Sequence, residues 1–141
     1  MDIQRRDGRE VISEHEGTVQ SMFFYRMEEL REEVNGYLEF VNEFSIGAGV
    51  AIEPHSHDTD EFYFVLEGAG TMVIDGERAP FGPGELVRIR PNAVHSLEAD
   101  QGVPMRCFCF AISYMPKDRV GFTAYPVDGG TPHFVSTRYW D

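Results

Sequence analysis

From Tyr37 onward the chain is written in short runs that alternate or are rich in aromatic and β-branched residues, and each run is cut off by Gly, Pro, Asn or Asp. Tyr37 to Phe44 places Leu38, Phe40, Asn42 and Phe44 on one face and Glu39, Val41 and Glu43 on the other, which is the two-residue period of a strand. Glu61 to Leu66, Thr71 to Ile74, Glu85 to Ile89, His95 to Leu97 and Met105 to Tyr114 read the same way, and Asp75-Gly76 is a hairpin signal. Nothing alternates strand with helix. Many short strands between tight turns predict an all-β sandwich or barrel.

The segments before and after this block are less regular. Residues 1–18 are polar and charged and read as an N-terminal arm. Val19 to Met27 predicts a strand through Met22-Phe23-Phe24-Tyr25, Glu28 to Val34 one or two helical turns, and Asn35-Gly36 their end. The barrel is expected over 19–114. Residues 115–141 form a C-terminal extension packing on the barrel or on a partner subunit, with a last strand over His133 to Trp140.

At 141 residues one domain is expected, and 42% hydrophobic residues with 11 Phe suffice for a packed core. The net charge of −12 repels phosphate backbones, and no basic run is present, so nucleic acid is excluded as a partner. No run approaches the roughly 18 apolar residues of a membrane span, and no apolar stretch follows Met1 to Asp7. A cytoplasmic protein is therefore expected. Cys107 and Cys109 lie two apart on one strand, where a bond between them would distort the backbone; they read as buried thiols rather than as a disulfide or metal site.

Three histidines and a glutamate have spacings that suit a metal. His55 and His57 are two apart and would face one side of a strand. Glu61 follows an Asp-Thr-Asp turn and opens the next strand, so its carboxylate can return to the same point. His95 comes from a separate hairpin. Neutral imidazole and carboxylate donors suit one divalent transition metal, among Fe, Mn, Zn, Ni and Co. Asp58 and Asp60, beside these ligands, read as solvated turn residues.

These residues carry a resemblance. The chain resembles a small single-domain cupin, whose first motif runs Gly, five residues, His-x-His, three or four residues, Glu, six residues, Gly. Gly49, His55, His57, Glu61 and Gly68 occupy every fixed position. In the second motif Gly84 and His95 hold their places, whereas Arg90, Asn92 and Ala99 replace a proline, a glycine and an asparagine. Asn92 tolerates the positive φ that the glycine would supply. The resemblance implies a double-stranded β-helix of jelly-roll type, a metal held by His55, His57, Glu61 and His95 inside its open end, and often a homodimer.

Around that centre, Tyr63 lies two residues from Glu61 and would point inward, as a proton donor or substrate contact or simply as core. Asn42 sits among apolar neighbours on its strand face, to touch substrate or pair with backbone. Arg88 and Arg90 share a face; turned inward, they would hold a substrate carboxylate, with Arg90 as the substrate contact, and turned outward both are solvent-facing charges. The expected function is a metal-dependent enzyme on a small organic molecule, a dioxygenase if the metal is iron. An isomerase, lyase or decarboxylase is the alternative, as is a non-catalytic binding domain.

Overall fold

The computed structural model describes residues 1–26, 29 and 36–137, and apart from the single helical residue Glu29 its regular structure there is β. The rest of the expected helical turns at 28–34 lies outside the described residues. So do positions 138–140 of the expected last strand. No helix among the described residues is long and apolar enough to cross a membrane.

The strands are β1 (Asp2–Gln4), β2 (Ile12–Glu14), β3 (Val19–Ser21), β4 (Tyr37–Ile46), β5 (His55–Ser56), β6 (Thr59–Glu67), β7 (Gly70–Ile74), β8 (Glu77–Phe81), β9 (Leu86–Ile89), β10 (His95–Ala99), β11 (Met105–Ser113), β12 (Gly121–Ala124) and β13 (His133–Ser136). One sheet has the order β1-β9-β6-β11-β4, a second the order β13-β12-β5-β10-β7-β8, and β2 pairs only with β3. A single hydrophobic cluster joins the two larger sheets, with Tyr63, Val65, Val87 and Cys107 from the first and Met72, Phe81 and Leu97 from the second. Each fully buried side chain of this size contributes about 1.5–3 kcal/mol. This is the expected cupin-type β-sandwich, closed around an interior that both sheets line.

Local chemistry explains the elements. Asp75 and Gly76 take φ of 48° and 80° and turn β7 into β8, with Ile74 facing Glu77; positive φ at both central residues matches the twist of the flanking strands. Strict alternation in β11 buries Met105, Cys107, Cys109, Ala111 and Ser113 and turns Arg106, Phe108, Phe110 and Ile112 outward. Both thiols are free and buried, as expected, and burial pushes Cys107 up to about 12. Gly68 combines a φ of 80° with a close approach to the Pro104 carbonyl, which an added Cβ would meet at 2.2 Å. Only glycine fits there.

One expectation about the ends is corrected, and pairings are added on both sides. The predicted strand over 19–27 stops at Ser21. Phe24 and Tyr25 instead pack edge-on against Phe64 and Phe62, covering the outer aromatic face of the first sheet. Burying those rings outweighs extending a two-stranded ladder. Within residues 1–18, β1 pairs antiparallel with β9 and β2 forms a hairpin with β3. Beyond residue 114, β12 and β13 extend the second sheet, and β12 pairs directly with β5.

Candidate metal centre

The second sheet brings His55 and His95 together as direct cross-strand partners on β5 and β10. His57 lies just past β5 rather than on it; its backbone carbonyl accepts from the amides of Thr59 and Asn92. Asn92 has the expected positive φ, 65°. Glu61 reaches in from β6 of the opposite sheet. The ring centroids of His55 and His95 lie 4.2 Å apart and those of His57 and His95 5.3 Å apart. One ligand nitrogen from each histidine lies within 4.8 Å of the other two, so His55, His57 and His95 could hold a metal ion.

The second ring nitrogen of each histidine is occupied. His55 Nδ1 donates to the Glu53 carbonyl at 2.8 Å and His95 Nδ1 to the Ala93 carbonyl at 2.9 Å. His57 Nδ1 bonds the Thr59 hydroxyl. A proton fixed on Nδ1 leaves the Nε2 lone pair free, which is the tautomer a metal needs. His95 Nε2 is buried with no hydrogen-bond partner among the described residues. An orphaned buried nitrogen costs stability unless something binds it. This donor set fits a divalent transition metal.

Glu61 is 3% exposed, with Oε2 3.2 Å from His57 Nε2 and Oε1 3.6 Å from His95 Nε2. Burial pushes its carboxyl up, but the contacts with His57 and His95 outweigh this and hold it well below the ordinary carboxylate range. Burial, reinforced by repulsion from His95, pushes His55 down to about 4. At neutral pH the centre thus offers a neutral imidazole at His55 and an ionised carboxylate, the forms that ligate metals.

A cavity of about 930 Å³ opens on this centre, with His55, His57 and Glu61 in its wall. Its walls are largely apolar: Phe40, Phe44, Ile46, Ile52, Val120 and Phe122. Asn42 lines it, as its strand face requires. Tyr63 lines it too and is 4% exposed, packed edge-on against Phe44. Burial first, then the charge of Glu61, raises the Tyr63 phenol well above its ordinary value, so it stays protonated.

Arg90 is a correction. It is exposed and does not line the cavity. β9 sends Val87 and Ile89 into the core, so Arg88 and Arg90 face out of the barrel. Arg88 is nonetheless not solvent-facing: it is 2% exposed and pairs with Asp60, which is 0% exposed and so no solvated turn residue. Phe62 and Tyr25 lie against the guanidinium. Two groups in or behind the cavity escaped the sequence reading. Phe122 packs edge-on against His55 from the C-terminal extension, where no motif marks it. Strand alternation puts Glu39 on the face of β4 opposite Asn42. The pairing of β4 with β11 slips by one residue, since Ala111 faces Phe40 but Ile112 faces Leu38. Glu39 is the extra residue in that bulge, and it lines the cavity.

Residues 42–111, about half of the chain, match the family model of the cupin domain. The chain is a cupin. This cupin is 36% identical over 63 residues to an uncharacterized protein of Methanocaldococcus jannaschii, covering 44% of this chain and 49% of that one. It is 32% identical over 94 residues to the dimethylsulfoniopropionate lyase DddW of Ruegeria pomeroyi, covering 67% of this chain and 58% of that one. It therefore spans between about half and three-fifths of the length of these relatives. The crystal structure of a cupin protein from Bacteroides fragilis superposes with a TM-score of 0.50 at 27% identity, over 64% of this chain and 75% of that chain.

Proposed function

We propose that this cupin is a metal-dependent enzyme acting on a small organic molecule, with His55, His57, His95 and Glu61 as the ligands. The observation that carries this reading is the convergence of three imidazoles, each with its Nδ1 hydrogen-bonded, on one point beside a largely apolar cavity. When bound, the ion would supply Lewis acidity and a template for a chelating substrate, with redox chemistry added if it is iron. The protein's own groups do the rest. The apolar walls take the body of an aromatic or mostly apolar molecule and exclude water from it. The Tyr63 phenol, held protonated, donates a hydrogen bond to a substrate oxygen. The Asn42 amide offers a donor and an acceptor at the cavity wall.

Within this reading two reaction classes compete. Iron would make the enzyme a dioxygenase. A lyase or isomerase is the second reading, and the 32% identity to a lyase favours it. Elemental analysis of protein purified without added metal decides the first question: about one equivalent of a transition metal per chain is expected, lost in His55→Ala. Wild-type protein that retains no metal after reconstitution with iron, zinc, manganese, nickel or cobalt overturns the proposal. Oxygen consumption by the iron form with catechols, β-diketones and thiols then separates the classes. Silence there moves the assignment to lyase or isomerase.

A further inference from the structure

The cavity holds a second acidic group that the metal centre does not use. Glu39 enters it through the β4 bulge, and bulges characteristically re-aim a side chain beside an active site. Its Oε2 is fully buried with no hydrogen-bond partner among the described residues. A carboxylate oxygen left so in an apolar wall is costly, and a substrate group in the cavity would satisfy it. The other titratable side chains lining the cavity are His55, His57, Glu61, Tyr37, Tyr63, Cys109 and Lys117. None of these hydrogen-bonds to Glu39 Oε2. Burial raises the Glu39 carboxyl; the His57 ring opposes this and Glu61 adds to it. A carboxyl shifted upward is better matched to accepting and returning a proton near neutral pH.

Resting on the metal-enzyme reading above, we propose that Glu39 is the proton-transfer residue of this enzyme, taking a proton from the carbon next to the substrate's chelating carbonyl or carboxylate group. The C–H bond breaks, its proton goes to the Glu39 carboxylate, and its electron pair becomes the C=C π bond of the enolate. The negative charge moves to the chelating oxygen, where Tyr63 donates a hydrogen bond. From there the proton returns to another carbon, giving isomerisation, or a leaving group departs from the adjacent carbon with its bonding pair, giving elimination. No oxidant is consumed.

The test needs no knowledge of the natural substrate. The probe is 3-phenylpyruvate, whose 2-oxo acid end chelates divalent ions and whose ring suits the apolar walls. The zinc-loaded protein is placed in D₂O and exchange of the C3 hydrogens is followed by NMR against the same zinc concentration without protein. Wild type is expected to accelerate exchange, and Glu39→Gln to lower the protein-dependent rate by about 10²-fold or more. Zinc content and probe affinity should stay at the wild-type level in that variant. Glu39→Asp, which keeps the carboxylate on a shorter stem, should recover part of the rate, and the acidic limb of the rate–pH profile should vanish only in Glu39→Gln. Exchange in Glu39→Gln at the wild-type rate overturns the inference. So does a wild type that binds zinc and probe without accelerating exchange, and so does loss of zinc from Glu39→Gln, which would make Glu39 a ligand. The broader proposal fails at a different point, on wild-type metal content.

Discussion

Asp60 and Glu61 are neighbours on β6, both are buried, and they face opposite ways. Asp60 points out of the barrel and meets the Arg88 guanidinium through both Nε and a terminal nitrogen. Tyr25 and Phe62 cover the pair. Charge meets charge, and the cluster is complete within the protein. Glu61 points inward among three imidazoles, one with a buried nitrogen that nothing in the described protein satisfies. The outer cluster pins the N-terminal aromatics onto the sheet. The inner one presents acceptors and lone pairs to a single point. The same strand therefore carries a structural ion pair on one side and a ligand-demanding centre on the other, one residue apart.

The largest effect that separates them is on metal binding. His95→Ala removes a nitrogen for which nothing else can substitute, and affinity should fall by more than the roughly 10–100-fold that losing a mere supporting hydrogen bond costs. Fold should be retained, because the side chain removed has an unsatisfied atom. Dialysis against a competing chelator measures the first and circular dichroism the second. Arg88→Met should behave in the opposite way. It leaves Asp60 buried without its guanidinium, which costs about 3–5 kcal/mol, while the metal stoichiometry of the folded fraction is unchanged. If Arg88→Met were neutral in urea denaturation and His95→Ala unfolded the chain, the contrast between the two faces would be wrong.

The contrast also has a pH signature in metal-free protein. His55 has a folded value of about 4 against an ordinary 6.5. The unfolded chain takes up that proton first, so stability falls as pH drops from about 6.5 to about 4 and this contribution is flat below. The loss is at most ~3 kcal/mol, and less because the ring is only partly shielded from solvent. His55→Gln should remove this part of the slope, and Arg88→Met should leave it in place. Denaturation midpoints at about pH 4, 5.5 and 7 check the sign.

The ligand set was legible in the sequence because motif spacing and strand period report it directly: residues two apart share a face, and glycines such as Gly68 mark where backbone must pass close to backbone. Asn42 and Tyr63 followed from the same period. Glu39 did not, because a bulge inserts one residue there and reverses the inside–outside assignment of Tyr37 and Leu38 before it, while Phe40, Asn42 and Phe44 after it keep theirs. Nothing in Tyr37-Leu38-Glu39-Phe40 announces it; the slip is set by the pairing with Ala111 and Ile112. Arg88 and Asp60 were misread for a related reason. Their strand faces outward, but the outer face is covered by Phe24 and Tyr25 from a segment distant in sequence. Alternation reports a direction and not what lies in that direction.

The smallest predicted effect tests how the inner centre is held. His55 and His95 are oriented by backbone carbonyls, which no substitution removes. His57 alone of the three is oriented by a side chain, the Thr59 hydroxyl. For His57 to offer its Nε2 lone pair, Nδ1 must carry the proton and donate it to Thr59 Oγ1. Thr59 is 1% exposed, so water does not readily replace it. Thr59→Val keeps the shape and removes the acceptor, freeing the ring to rotate or to shift its proton to Nε2. Metal affinity should fall by about 10–100-fold, with Asp60 and Arg88 unaffected next door. Isothermal titration with zinc measures the first, and urea denaturation of the metal-free protein the second, where only the loss of one buried hydrogen bond, about 0.5–1.5 kcal/mol, is expected. A Thr59→Val protein that binds zinc as tightly as wild type would mean that His57 is positioned by its backbone, held through the amides of Thr59 and Asn92, and needs no side-chain anchor.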